Sequence, residues 1–408
     1  RARRPDHQLA GQCSGEFLSM IQLRPFRAWR PVPRKAHRVG SRSYVAYTQE
    51  QLSAKLDGNP YTFLHVIHPD QGRDAHLPRL ERYHRVQMKF KAFCDLGYLQ
   101  RDAEPCIYVY EQTNHGVASL GLIAGVSVAD YRAGLIKVHE QTLTARESLF
   151  KDYLDATGIN AEPVLLAAPD DGAMEFVLTP ITQGKPDSDF TTGDGVRHRF
   201  WAVSDVAVRN ALQHVFSQFP ALYIADGHHR LASSARLGET SGATDVDPKA
   251  WCLAYVLPHT HLHIFNFDRA VTTLNGLSSE QFIEALSRIG KVEKVDSPGT
   301  VHGIVCVRTK LGWHALHLPD PPEQATASEK LDPARLSELV LGPVLGIEDL
   351  RTDPHIHFIP GTHGIEELEQ LVDSGTMEAA FHLQPVSFEE LKAVADSGGT
   401  MPPKSTYI

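Results

Sequence analysis

Cysteine is scarce in this 408-residue chain, with five residues at Cys13, Cys94, Cys106, Cys252 and Cys306. An odd number at wide spacing excludes a fully paired disulfide framework. Three of the five sit inside the apolar runs "PCIYVY", "WCLAYVL" and "GIVCVRT", where reduced core thiols belong, so the chain reads as cytoplasmic. Long apolar runs are also missing. No stretch approaches the ~20 residues needed to span a bilayer, and a composition of 42% hydrophobic and 22% charged residues is that of a soluble globular protein. An excess of positive charge is lacking too. With 40 Lys and Arg against 49 Asp and Glu, the net charge of −9 disfavours non-specific nucleic-acid binding, because neutralising phosphates takes a basic field. Small anions at local sites stay open. There is no internal repeat.

Length, by contrast, is ample for two or three compact units. The first forty residues carry nine Lys and Arg against two Asp and Glu, as a transit segment would, but residues 1 to 19 show no periodicity, and folded character begins after Met20 with "IQLRPFRAWRP". Residues 1–19 are therefore expected to be a non-native or disordered extension. The remainder divides into an N-terminal α/β segment (20–126), a central catalytic α/β core (127–270) and a C-terminal α/β segment (271–408).

In the first segment, "TQEQLSAKL" predicts a helix, "YTFLHVIHP" a strand, residues 79–97 a helix stopped by Gly97, and "CIYVYEQ" with "LGLIAGVSV" two strands joined at "NHG". In the second, "SLFKDYLDATG" closes on Gly158, "PVLLAAPDD" is a strand and "SDVAVRNALQHVFSQF" a helix capped by Ser204 or Asp205. "ALYIAD" and "WCLAYVLP" are strands around a helix that ends at Gly238. The alternation predicts a mixed α/β (α+β) fold. In the third segment "PDPPEQATASEK" is a loop between further α/β units.

The chemistry concentrates in "ALYIADGHHRLASSARLG", residues 221 to 238. A helix start exposes unpartnered N–H groups and partial positive charge, which suit a phosphate. Gly227 lets backbone approach a ligand, and Arg230 adds a fork of donors matched to phosphate oxygens. Asp226 stands at the carboxyl end of a strand, where open sheets place catalytic or Mg²⁺-binding acids; an N-cap beside a simple turn is the plainer alternative. His228 and His229 complete the cluster.

A second candidate is "GLIKVHEQTLTARESLF", with Lys137, His139 and Glu140 ahead of a helix that Thr142 or Thr144 would cap. The second histidine of a zinc-peptidase motif is missing, which leaves Glu140 as a general base for a hydroxyl and His139 as its support. "GGTMPPKST" resembles a Walker loop, but Pro402 and Pro403 offer no N–H; Lys404, Ser405 and Thr406 can reach an anion through their side chains. In "PHTHLHIF" and "DPHIHF" the histidines alternate with apolar residues and no cysteine or carboxylate cluster accompanies them, so zinc is not expected. Trp201 in "RHRFWAV" is read as a core residue rather than a base-stacking one.

"RPFRAWRP", "NPYTFLHV", "EPCIYVYEQ", "IKVHEQTLTARE", "TGINAEPVLL", "LYIADGHHR", "LGPVLGIEDLRTD" and "MPPKST" together resemble, in order, the blocks of a bacterial family, domain of unknown function 1015, across residues 20–408. That resemblance places the family's start at Met20 and implies more residues after "MPPKST". More distantly, the "HE" block and "DGHHR" are similar to free-serine kinases of the ParB and sulfiredoxin superfamily. This implies a ParB/sulfiredoxin-like phosphate-binding core, Glu140 as base and Asp226 to Arg230 as the phosphate site. His228 stands where sulfiredoxins need cysteine, so their activity is not expected. The resulting expectation is a kinase with Mg²⁺ and ATP, ADP or pyrophosphate as donor, acting on a small-molecule substrate such as L-serine, without nucleic-acid or membrane partners. A phosphoserine-type phosphatase and a non-catalytic nucleotide-binding regulator are the alternatives.

Overall fold

A computed structural model describes residues 20–68, 76–299 and 301–408. The expected extension at 1–19, and Cys13 with it, lies outside the described residues. The other four cysteines are free; three are buried and Cys94 is half-buried.

Nine strands build the larger sheet: β1 (Leu23–Arg24), β2 (Ile107–Asn114), β3 (Val117–Ser127), β4 (Ile136–Lys137), β5 (Val164–Ala168), β6 (Ser188–Thr191), β7 (Arg197–Val203), β8 (Leu222–Asp226) and β9 (Trp251–Pro258). Their order is β4-β8-β5-β9-β3-β2-β7-β6, with β1 added on β3. β4 runs parallel to β8 and β5 parallel to β9, whereas every other pair is antiparallel. The β2–β3 hairpin closes on His115 and Gly116, both at positive φ (47° and 82°), the geometry of a two-residue turn that follows strand twist.

Helices α1 (Arg79–Asp95), α2 (Thr144–Thr157), α3 (Ala173–Thr182), α4 (Val206–Ser217) and α5 (His228–Thr240) accompany this sheet. Asp205 caps α4 by accepting from the Val208 N–H at 3.0 Å. One apolar core joins residues of β2 and β3, such as Val109 and Leu122, to Leu166, Leu222, Ile224 and Val256. Residues 20–126 and 127–270 therefore share a sheet and a core, and the expected boundary at 126/127 falls where β3 pairs with β9, Val126 opposite Cys252.

The second sheet is wholly antiparallel. It comprises β10 (Phe267–Val271), β11 (Val292–Val295), β12 (Ile304–Thr309), β13 (Gly312–His317), β14 (Ile356–Pro360) and β15 (Ala379–His382), in the order β11-β13-β12-β15-β10-β14. Helix α6 (Ser279–Ser287) buries Phe282 and Leu286 in one core with Phe381, while α7 (Ile365–Asp373) buries Leu368 and Val372 in another with Ala380. A further cluster links the two sheet units: Ala221 and Tyr223 pack with Leu331, Val386, Met401 and with Leu391 of α8 (Phe388–Asp396).

Three local expectations differ. "YTFLHVIHP" forms a helical turn at Leu64–Ile67 instead of a strand, because Asn59 Oδ1 and Thr62 Oγ1 accept from the N–H groups of Tyr61 and Leu64 and start a turn that buries Leu64 and Val66. Gly238 lies inside α5, which continues to Thr240. Neither Thr142 nor Thr144 caps α2; Thr142 Oγ1 donates instead to Glu147 Oε1 at 2.5 Å.

Candidate functional site

Strand β8 is apolar and buried up to Ala225, and its ladder with β5 shifts register between Ile224 and Asp226, which leaves the Asp226 carboxylate at the surface. Gly227 then adopts φ 96° and α5 begins at His228. The left-handed residue turns the chain through an angle an L side chain resists. It also makes room: a Cβ on Gly227 would lie 2.8 Å from Arg230 Nε. Arg230 folds back over the turn, Nη2 donating to Asp226 Oδ2 at 2.5 Å and Nη1 to Glu162 Oε1 at 2.8 Å.

Glu140 reaches this turn through β4. Leu222 pairs with Ile136 and Tyr223 with Lys137 in parallel, and three residues past the end of that pairing Glu140 lies near enough to Asp226 for its charge to act on the Glu140 carboxyl. Its Oε2 lies 3.6 Å from His228 Nδ1. His228 is buried, and its Nε2 accepts the His139 backbone N–H at 3.4 Å, which leaves the proton of the neutral ring on Nδ1, facing the carboxylate. Loss of surrounding water, then the Asp226 charge, raise the Glu140 carboxyl above its ordinary range, while Lys404 and Arg351 pull it back.

His139 is 1% exposed, its ring edge-on to His228 with centroids 4.5 Å apart, and neither of its ring nitrogens has a partner among the described residues. Burial pushes its pKa down to about 4, and drives that of His228 lower still. Both rings are neutral in the fold, whereas in the unfolded chain they take up protons near 6.5. Stability is therefore full above that pH and declines as pH falls from 6.5 towards 4. At pH 5 His139 alone should cost about 2 kcal/mol. Urea unfolding from pH 7.5 to pH 5 measures this, and His139→Asn should flatten the slope; an unchanged slope would contradict it.

The C-terminal segment closes the site from the other unit. The Met401 N–H donates to the His139 carbonyl at 2.8 Å. Lys404, at φ 57°, offers its carbonyl to Arg269 Nη2 at 3.1 Å and holds its Nζ 4.9 Å from the Phe267 ring centroid. Arg269 is fully buried, with Nη1 on the Phe267 carbonyl and its guanidinium over Phe358.

The remaining candidates have partners of their own. Lys137 Nζ is 4.0 Å from Asp396 Oδ1, on the helix that packs between the two units. His229 faces α2, where burial and then Arg146 lower its pKa against the opposing pull of Glu147. Ser405 is buried and donates to the Pro402 carbonyl at 2.8 Å, and Thr406 is half-buried. The geometry thus gathers Glu140, His139, Asp226, Gly227, His228, Arg230 and Lys404. It adds Glu162 and Arg351, which stand in the blocks "TGINAEPVLL" and "LGPVLGIEDLRTD" without having been singled out, and Arg269, which no block marks.

Among the described residues, no three His, Cys, Asp or Glu side chains gather as a metal-binding set. His259 stacks on Phe388 and His261 Nδ1 accepts the Leu120 N–H at 3.1 Å. Trp201 is buried beneath Arg199 and donates to the Gly184 carbonyl at 3.0 Å. No helix of the described residues is long and apolar enough to cross a membrane.

No curated protein matches the chain. Among solved structures, a free serine kinase in complex with AMP is 16% identical, covering 70% of this chain and 86% of that one at a TM-score of 0.36. A conserved hypothetical protein from Pyrococcus furiosus is 14% identical, covering 70% and 89% at 0.34. SbnI from Staphylococcus aureus, C-terminally truncated, is 15% identical, covering 70% and 81% at 0.34. Likeness at this level fixes no shared chemistry. The model of the family described as protein of unknown function (DUF1015) matches residues 23–335, most of the chain and the whole of the Gly227 turn with its facing carboxylate, and the protein belongs to that family.

Proposed function

We propose that this protein is a phosphotransferase that moves a phosphoryl group from ATP, ADP or pyrophosphate to the hydroxyl of a small metabolite, with free L-serine as the acceptor. The observation that carries the reading is Glu140, its carboxylate 3.6 Å from His228 Nδ1 and beside a glycine turn whose arginine covers a helix start.

Phosphoryl transfer needs positioning and charge neutralisation more than covalent help from the protein. Arg230 and the first N–H groups of α5 would hold the transferring group, with Lys404 approaching from the other unit. Glu140 would accept the proton of the acceptor hydroxyl as its oxygen bonds to phosphorus. The bond from phosphorus to the donor's bridging oxygen breaks, and that oxygen keeps the electron pair. His228, its Nδ1 proton facing Glu140, would orient the carboxylate.

Mg²⁺ usually takes one or two carboxylates and completes its shell with water and substrate phosphates. Asp226, whose side chain is 62% exposed at the rim of the turn, is a hard oxygen donor of that kind. It would hold the ion, which when bound neutralises charge on the donor oxygens.

Incubation with serine, Mg²⁺ and each donor in turn, read by mass spectrometry, should yield phosphoserine. No product with any donor overturns the reading. Phosphoserine hydrolysis without a donor would identify a phosphatase instead, and donor binding without turnover a regulator.

A further inference from the structure

A cavity of about 360 Å³ has Arg230 in its lining and is bounded by residues 41–44, α1, α2 and the loop at 159–162. The volume falls in the range of roughly 300–1,000 Å³ typical of small-molecule sites. Its walls are aromatic, with Tyr83 and Tyr153 meeting edge to face at 5.4 Å while Tyr44 and Phe150 keep 41% and 38% of their surface open. Arg230 and Ser234, one turn apart on α5, line it together with Glu162. The Nε of Arg230 is buried without a hydrogen-bond partner among the described residues.

We infer that this cavity takes the aromatic base of the phosphate donor, so that the donor is a nucleoside di- or triphosphate rather than inorganic pyrophosphate. The inference rests on the reading of Arg230 as the phosphate anchor. Aromatic side chains left partly open around a cavity gain by covering a planar ring, and base stacking serves any base because every base presents a π-face. Pyrophosphate has no such surface to offer. The same arginine lines the cavity and lies over the Gly227 turn, so a ligand with its ring among the tyrosines has its phosphates led towards that turn.

Calorimetry on the full chain with ADP and with pyrophosphate tests this. ADP is expected to bind more tightly. Phe150→Ala and, separately, Tyr153→Ala should each weaken ADP by about tenfold, the loss of one stacking partner, and leave pyrophosphate binding unchanged. Thermal unfolding of both variants establishes that they fold, and Phe150, partly exposed, tolerates truncation if Tyr153 does not. Equal affinity for the two donors, or parallel losses for both, would overturn the inference. If ADP binds in this pattern and no phosphoserine forms, the pocket stands and the kinase reading falls. If the protein makes phosphoserine from pyrophosphate and does not bind ADP, the kinase reading stands and the pocket falls.

Discussion

Glu140→Gln is expected to lower phosphoserine formation by about 10²–10⁴-fold, the contribution of a positioned general base. The amide keeps the shape of the carboxyl but cannot take the acceptor's proton. With 47% of its side chain exposed, Glu140 contributes little to packing, so the variant should fold as the parent does. Donor binding, assigned to Arg230 and the helix start, should persist and tighten slightly once a negative charge has left the phosphate's surroundings. The native protein should also gain activity as pH rises through the Glu140 pKa, which lies above its ordinary 4.5, and the variant should lack that limb. Steady-state kinetics with calorimetry on the same preparation separates turnover from binding. Parental turnover in the glutamine variant would remove Glu140 from the chemistry.

Gly227→Ala should all but abolish donor binding while costing the fold only about 1–3 kcal/mol, the usual strain of forcing an L residue into a sparsely populated backbone conformation. The binding loss is the larger because the new Cβ would stand 2.8 Å from Arg230 Nε and Nη2, displacing the guanidinium from Asp226 and Glu162. Gly242→Ala isolates the strain: φ is 64° there and nothing lies within 4 Å of the added carbon. That control should lose stability in denaturant and bind donor normally. Native donor affinity in Gly227→Ala would mean that the turn does not hold the arginine where phosphate meets it.

What sequence alone determined is what neighbours along the chain decide. The hairpin at His115–Gly116, the Asp205 cap of α4, the Gly158 stop of α2 at φ 65° and the strand-to-helix turn at Asp226–Arg230 each follow from side chains within about four residues, the reach of caps and tight turns. Even there, "YTFLHVIHP" shows local polar caps overriding an alternating pattern.

Tertiary structure alone decided which distant segments meet. Glu140 and His228 approach to 3.6 Å beyond the end of one parallel strand pairing, Met401 is joined to His139 and Arg269 to Lys404 by hydrogen bonds spanning more than a hundred residues, and Glu162 to Arg230 by an ion pair. No periodicity announces such contacts, because strand order and packing between units depend on which apolar faces find each other. The same holds for β3, which reads as an ordinary strand: only its pairing with β9 reveals that it belongs to the core carrying the Gly227 turn.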